Sequence, residues 1–501
     1  MRIAAAQINP VVGDISGNSD LIMSAIKKAM NQGAHVLLFP EMAVTGYPVE
    51  DLALRPAFRR ASRDAVSRIA QQAAEVGAGE MLIVVGYLDD NPQPENSVAL
   101  IHRGQVVAKY VKRHLPNYGV FDEFRNFVPG QGSLVIRHCD VDIAIAICED
   151  IWQDSGVVPE IAARKPGLVL VANASPYERK KDDRRLALVQ KRAREFSSPL
   201  VYVNQVGAQD DLVFDGDSVI VDSEGKVLAR APQFESDIFI TDIEVRTATS
   251  KPDINLDSTL RILREDVKPL LAERLSDEEE MWTALVIGLR DYVAKNGFTS
   301  VALGLSGGID SAVVASLAVD ALGKDRVFGV SLPSKYSSEH SLSDAKSLAL
   351  NLGIDYRVIE IEPVVQSFLK ATTLSGVAEE NVQARVRGSL LMGLSNQEGH
   401  LILATGNKSE LAVGYSTLYG DAVGGFAPIK DIFKVDVWRL ARWRNGLAKT
   451  RGEVEPIPVS SIEKEPSAEL RPGQKDSDSL PPYPILDQLL EDRKSTRLNS
   501  S

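Results

Sequence analysis

Three side chains stand at the ends of apolar, strand-like runs and could together break an amide bond. Cys148 follows the run VDIAIAI and precedes Glu149 and Asp150; Glu41 follows HVLLFP; Lys112 follows AKYV. A strand end puts a side chain at the rim of a sheet, where ligand sites collect. A free thiol is only about 3% thiolate at pH 7, so a nucleophilic cysteine needs a base or a cation beside it. Taken singly, Cys148 reads more readily as a buried inert thiol, and Glu41 and Lys112 read as well as surface charges. A second group lies in VALGLSGGIDSAVVASLAV, where Gly304, Leu305, Ser306, Gly307, Gly308, Ile309, Asp310 and Ser311 join a strand-like run to a helical one. Glycines let backbone N–H groups approach phosphate oxygens, and a helix N-terminus adds partial positive charge. Ser306 and Ser311 can donate further hydrogen bonds. Asp310 would repel a bare phosphate, but it suits a Mg²⁺ ion bridging carboxylate and pyrophosphate. The loop has neither the GK[ST] of a Walker A motif nor GxGxxG spacing.

The rest of the chain must hold these residues in place. Its 501 residues allow two large domains or about three ordinary ones. Lys and Arg number 56 against 68 Asp and Glu, a net charge of −12, which disfavours a nonspecific nucleic-acid binder but leaves anionic small ligands open. No stretch is apolar enough to predict a membrane span. The opening MRIAAAQINPVVGD reads as a strand rather than a signal peptide. Two cysteines, Cys139 and Cys148, give no disulfide framework and point to the reducing cytoplasm. The six histidines show no metal-ligand spacing, so no zinc site is expected.

Residues 1–245 alternate short apolar runs (1–8, 35–40, 81–88, 97–102, 141–147, 167–173, 200–206 and 217–222) with amphipathic stretches at 18–32, 56–77 and 184–196. That predicts a layered α/β domain. Residues 246–275 lack a clear strand and read as a connector. A second domain, 276–492, opens on a helix with Ser276 as N-cap and Gly297 as its end. Strands at 301–305, 327–333, 356–361 and 400–406 then alternate with helices at 311–322, 339–352 and 379–395, a parallel, doubly wound pattern. Residues 450–482, rich in Pro, Ser and charge, read as a mobile loop. A helix forming over 484–492 is cut off by RKSTRLNSS, and residues 493–501 read as a non-native tail on a shortened chain.

The order FPE, KRHLP, CED resembles the nitrilase, or carbon–nitrogen hydrolase, superfamily over most of residues 1–245. The resemblance implies an αββα sandwich. It makes Cys148 the nucleophile, Glu41 the proton carrier and Lys112 the oxyanion partner, with Glu123 fixing Lys112 and the substrate. LPNYGVFDEFR and NASPYERKK are similar to the glutamine-hydrolysing branch, which implies that Tyr118, Glu123, Ser175 and Lys181 bind glutamine.

SGGIDS resembles the ATP pyrophosphatase loop of the adenine nucleotide α-hydrolase-like fold, in which ATP is split to AMP and pyrophosphate. NVQARVRGSLLMGLSN, ATGNKSELAVGYSTLYGDAVGGFAPIKD and FKVDVWRLARW resemble the NAD⁺ synthetase family, and KEPSAELRPGQKDSDSLPPY its substrate-closing loop. That likeness implies ATP contacts at residues 304–311 and Thr405, and Mg²⁺ held by Asp310 and Glu410. It implies deamido-NAD contacts at Asn381, Arg385, Arg387, Glu410, Asp421 and Lys434. Joined, the two resemblances imply a glutamine-dependent ligase. ATP would activate the carboxylate of deamido-NAD as an acyl-adenylate, and ammonia freed from glutamine would reach it through a channel between domains. The family further implies a homo-oligomer. Members of the family continue further and carry a lysine near the C-terminus, so restoring a native end is expected to raise synthetase activity. An amidase with a regulatory nucleotide domain, a noncatalytic scaffold, or an amidotransferase for another acid are the rival readings.

Overall fold

The computed structural model describes residues 1–90, 92–249, 251–258 and 267–498. The chain divides into two compact units, Met1–Asp277 and Glu278–Ser501.

In the first unit the strands are β1 (Arg2–Gln7), β2 (Val36–Leu38), β3 (Leu82–Asp90), β4 (Pro94–His102), β5 (Gln105–Val111), β6 (Leu134–His138), β7 (Val141–Ile147) and β8 (Leu168–Asn173). They continue with β9 (Leu200–Asn204), β10 (Val206–Gln209), β11 (Leu212–Asp215), β12 (Val219–Val221), β13 (Val227–Arg230), β14 (Asp237–Asp242) and β15 (Ile254–Asn255). One sheet runs β14-β1-β2-β3-β4-β5, a second runs β13-β12-β9-β8-β7-β6-β15, and β10 and β11 form a separate hairpin.

The period-2 pattern of the strands decides the layers. Ile3, Ala5, Val36 and Leu38 point one way and pack with Ile143, Ile145, Leu168 and Leu170 of the other sheet, forming the core between sheets. Ala4, Ala6 and Leu37 point the other way and meet Ile22, Ile26 and Ile69 of the helices Ile15–Asn31 and Pro56–Glu75. Ala144, Val169 and Val171 likewise meet Val158, Ile161 and Val189 of the helices Val157–Arg164 and Lys181–Phe196. The result is the expected αββα sandwich.

The second unit carries β16 (Val301–Gly304), β17 (Val327–Ser331), β18 (Asp355–Val358) and β19 (Leu401–Leu403), all parallel and ordered β18-β17-β16-β19. Val301 and Leu303 pack with the helices Ile309–Leu322 and Lys434–Thr450 on one face. Ala302 and Ile402 pack with Val382, Val386 and Leu391 of the helix Val377–Glu398 on the other. Both faces are covered, as a doubly wound sheet requires. The order reverses at β16, which makes its C-terminal end the topological switch point, and the loop 305–308 leaves from there.

Three expectations need correction. Of the connector 246–275, residues 250 and 259–266 lie outside the described residues. The described part contains a strand after all, because Ile254 and Asn255 extend the second sheet through β6. That strand is two residues long, too short for any sequence periodicity to show. Residues 450–482 are docked rather than loose. Val459–Glu463 is helical, Gln383 Nε2 donates to Leu470 O at 2.9 Å, and Tyr483 OH donates to Asp476 Oδ2 at 2.7 Å. Polar composition suggested a solvated loop, but these polar groups are spent on fixed partners. Finally, the last helix does not stop at 492; it spans Tyr483–Leu498. Arg493, Lys494 and Arg497 are good helix formers, and no Gly or Pro interrupts them. Of the expected tail 493–501, residues 499–501 lie outside the described residues.

Candidate active sites

The first site is assembled from three strand ends. Glu41 follows β2, and the backbone there presses on Gly86 of β3. A Cβ at Gly86 would lie 2.3 Å from Met42 N and from Pro40 O, so only glycine lets the Glu41 turn settle against the sheet. Lys112 follows β5, its N–H donating to Asn96 O at 2.8 Å, and its own carbonyl accepts from Gly130 N at 2.8 Å. Cys148 follows β7 and opens a single helical turn, Cys148–Ile151, with φ of +43°. A non-glycine residue in that region is strained and recurs at functional sites.

Lys112 is the hub. Its Nζ lies 2.7 Å from Glu41 Oε1 and 2.9 Å from Glu123 Oε1. Asn96 Nδ2 donates to Glu41 Oε1 at 2.6 Å, and the Ala174 N–H donates to Oε2 at 2.9 Å, so both oxygens of Glu41 are held. Tyr47 OH donates to Glu123 Oε1 at 2.9 Å. The Glu41, Lys112 and Glu123 side chains are 1%, 1% and 3% exposed, so their charges interact with little screening by water.

Burial governs the protonation states, and neighbours adjust them. Burial pushes the Cys148 thiol well above its ordinary value; the Glu41 carboxylate adds to that and Lys112 opposes it. The sulfur is therefore protonated at rest. Burial and the nearby Glu41 charge raise Glu123 to about 7, although Lys112 pulls the other way. Burial alone would lower the Lys112 ammonium, but Glu123 and Glu41 outweigh it and hold it well above the usual range.

The residues expected to hold glutamine have these partners. Tyr118 OH donates to Glu149 Oε2 at 2.8 Å, beside Cys148, and the Tyr118 ring meets Phe121 edge-on at 5.5 Å. Lys181 Nζ stands 5.7 Å above the Phe121 ring and donates to Pro176 O at 3.1 Å. Burial lowers the Lys181 ammonium, with the Cys148 sulfur opposing that shift. Ser175 is buried after β8, its N–H bonded to Asn204 Oδ1 at 2.8 Å.

The second site lies at the end of β16. Gly307 has φ +78°, and a Cβ there would lie 2.2 Å from Ser341 O, so the turn needs glycine twice over. The Ser306 and Ser311 hydroxyls are 3.1 Å apart, and Gly308 N donates to Ser306 Oγ at 3.2 Å, which fixes the loop as it enters the helix Ile309–Leu322. Asp310, in the first turn, accepts from Asn407 Nδ2 at 2.9 Å and pairs through Oδ2 with Lys434 Nζ. Lys434 also reaches Glu410 Oε1 at 3.2 Å. Asn407 caps the helix Lys408–Val413, taking the Glu410 N–H on its side chain at 3.1 Å. Burial and the Asp310 charge raise Glu410 to about 7, against the pull of Lys434. Burial alone would lower Lys434, yet Asp310 and Glu410 drive its net shift upward. Thr405 is half-buried just past β19.

The remaining dinucleotide candidates are spread more widely. Asn381 Oδ1 accepts from Thr417 Oγ1 at 2.8 Å, and Asp421 Oδ1 accepts from Thr417 N at 2.7 Å. Arg387 Nε donates to Leu332 O at 2.9 Å, and burial lowers this guanidinium to about 10, so it remains a cation at neutral pH. Arg385 is exposed and donates to Leu418 O at 3.2 Å, so the two arginines are bonded to different carbonyls.

Comparison with known proteins separates the units. The carbon-nitrogen hydrolase family matches residues 2–253, and the NAD synthase family matches residues 281–500. A glutamine-dependent NAD(+) synthetase of Thermotoga maritima is 42% identical over 516 residues, covering 98% of this chain and 88% of that protein. This chain belongs to the glutamine-dependent NAD⁺ synthetases. It is a ligase that makes NAD⁺ with glutamine as a substrate, and an amidase with a merely regulatory nucleotide domain does not account for likeness over so much of the chain.

Within the glutamine-dependent NAD⁺ synthetases, an Aquifex aeolicus member is 41% identical over 98% of this chain and 88% of its own length. The structure of the Acinetobacter baumannii member, solved in complex with ADP, matches with a TM-score of 0.82 at 38% identity, over 98% of this chain and 87% of that one. The Cytophaga hutchinsonii structure, at 23% identity and TM-score 0.78 over 94% and 84%, shares the fold. Among the described residues no helix is long and apolar enough to cross a membrane. Sequence reasoning missed Asn96, Tyr47, Gly86 and Asn407. Asn96 stands directly before the apolar run SVALIH, and its role shows only in its partner, Glu41.

Proposed function

We propose that this synthetase frees ammonia at Cys148 and consumes it at an acyl-adenylate formed beside residues 304–311. The observation that carries the reading is the chain of contacts from Glu41 through Lys112 to Glu123, with Cys148 at a strand end in a strained backbone conformation. A thiol held protonated needs its base at the moment of attack, and Glu41 is that base. Glu41 takes the thiol proton, the sulfur adds to the glutamine δ-carbonyl, and Lys112 stabilises the oxyanion. Glu41 returns the proton to the leaving nitrogen, ammonia departs, and a thioester remains. Water, deprotonated by Glu41, then releases glutamate and restores the thiol. Tyr118, Ser175 and Lys181 orient glutamine, and Glu123 keeps Lys112 aimed.

At the second site the carboxylate of deamido-NAD attacks the α-phosphorus of ATP and pyrophosphate leaves. Ammonia adds to the acyl-adenylate carbonyl and AMP leaves, giving NAD⁺. Loop N–H groups, Ser306, Ser311 and Lys434 bind the phosphates, Thr405 the nucleotide, and Asn381, Arg385, Arg387 and Asp421 the dinucleotide. Asp310 and Glu410 suit a magnesium ion: two carboxylates face one ammonium, and no third acidic, His or Cys ligand joins them among the described residues, so phosphate oxygens and water would complete the shell. Magnesium, when bound, offsets the charge of the departing pyrophosphate. At neutral pH free ammonia is mostly ammonium, which has no lone pair to attack with; an enclosed route from thiol to adenylate keeps it unprotonated.

The test follows the amide nitrogen. With ¹⁵N-amide glutamine, the native chain should place label in NAD⁺, and Cys148→Ala should not, while still making NAD⁺ from ammonium. Label in NAD⁺ from Cys148→Ala would refute the thiol route.

A further inference from the structure

We infer that Asp150 is a positioning residue that sets the spacing between the Cys148 sulfur and the Lys112 ammonium. Lys112 leaves the edge strand β5 of the first sheet, and Cys148 leaves β7 of the second. Among the described residues no ladder of backbone hydrogen bonds joins those two sheets, so side chains must fix the register between the nucleophile and its oxyanion partner.

Asp150, fully buried, makes that tie. Its Oδ1 accepts from the backbone N–H of Arg113 at 3.0 Å and of His114 at 2.9 Å, the two residues directly after Lys112. Its Oδ2 accepts from the N–H of Ile147 at 3.0 Å, directly before Cys148, and from Tyr110 OH at 2.8 Å, two residues before Lys112. The His114 ring also stands 3.5 Å from Oδ1. Four donors on one carboxylate brace both strand ends at once. Charge-assisted bonds of this kind are short and strong, and they hold Cys148 at its positive φ, a conformation that persists only where the surroundings over-determine it. The carboxylate does not touch the reacting atoms; it acts through the two backbones it joins.

Asparagine tests the carboxylate rather than its volume. One amide oxygen can serve one pair of donors, but the NH₂ group must then face the other pair. This inference rests on Cys148 being the nucleophile, so Cys148→Ala is assayed alongside. On the full chain, glutamine hydrolysis, glutamine KM, ammonium-supported NAD⁺ formation and iodoacetamide alkylation of Cys148 across pH are measured. Asp150→Asn should lower kcat for glutamine about 100-fold, the cost of a roughly 1 Å misplacement, with KM within about twofold and ammonium-supported synthesis unchanged. Tyr110→Phe, which removes one donor of four, should lower kcat about three- to tenfold at unchanged KM.

A kcat within about threefold of native in Asp150→Asn, or a loss confined to KM, would overturn the inference. If Asp150→Asn loses its fold, Tyr110→Phe decides: a kcat loss supports the brace and native kcat defeats it. Glutamine hydrolysis surviving in Cys148→Ala would instead remove the underlying reading, whatever Asp150 does.

Discussion

The two sites use one motif in two settings. Each has a lysine ammonium between two carboxylates: Lys112 between Glu41 and Glu123, and Lys434 between Asp310 and Glu410. In each, one glutamate is raised to about 7 by burial and a neighbouring acid. The difference lies in access. At the thiol site all three side chains are 3% exposed or less, whereas at the loop Asp310 and Glu410 are 19% and 17% exposed around a lysine at 2%. On the reading proposed above, the sealed triad does acid–base work on a neutral amide. On the same reading, the more exposed carboxylates of the other triad receive a cation and phosphates. A lysine between two carboxylates would then serve as catalyst or as receptor according to how much water reaches it.

The comparison breaks most decisively at the sulfur. Cys148→Ala should cut glutamine-supported NAD⁺ formation by about 10⁴-fold or more and leave ammonium-supported formation near native, read by NAD⁺ production with each nitrogen source. Equal loss with both would mean the two sites are not separable. Next, Lys434→Ala should lower NAD⁺ formation with either source by about 10²- to 10³-fold while glutamine hydrolysis continues.

Smaller effects sharpen the contrast. Glu123 titrates near 7, so as pH falls through 7 it takes a proton and loosens its hold on Lys112. Glutamine hydrolysis should therefore show an acid limb near pH 7, and Glu123→Gln, about ten- to a hundredfold slower, should lack that limb. At the open site the sign runs through stability. Glu410 has its folded value raised from 4.5 to about 7, so its contribution is full below 4.5 and is lost as pH rises through 7. A magnesium ion bound there, as proposed, would restore what ionisation removes. The rise in Tm on adding Mg²⁺ with ATP analogue should be about 2–4 °C larger at pH 8 than at pH 6 in differential scanning calorimetry. No difference would argue that Glu410 does not face the ion.

What the sequence showed depended on whether a residue's neighbours were local. The strand ends carrying Glu41, Lys112 and Cys148, and the loop 304–311, are contiguous patterns, and both the layered domain and the doubly wound domain follow from periodicity. Asn96 and Tyr47 act across 55 and 76 residues of chain, and nothing in their own surroundings reveals it. Gly86 was invisible for another reason: its role is a close approach by the Pro40–Met42 backbone, which leaves no side chain to read. The segment 450–482 misled because Pro, Ser and charge describe a solvated loop and a pinned one equally well; only its partners, such as Glu469 receiving Ser338, Ser341 and Lys464, tell them apart.

Burial pushes the Cys148 thiol upward, and on the proposed mechanism that has a consequence between turnovers. Peroxide and other oxidants react with the thiolate, so a sulfur that ionises only when an amide is seated offers them little. If Cys148 works as proposed, it is thereby shielded during idle periods, and oxidative inactivation should be fastest while glutamine is being consumed.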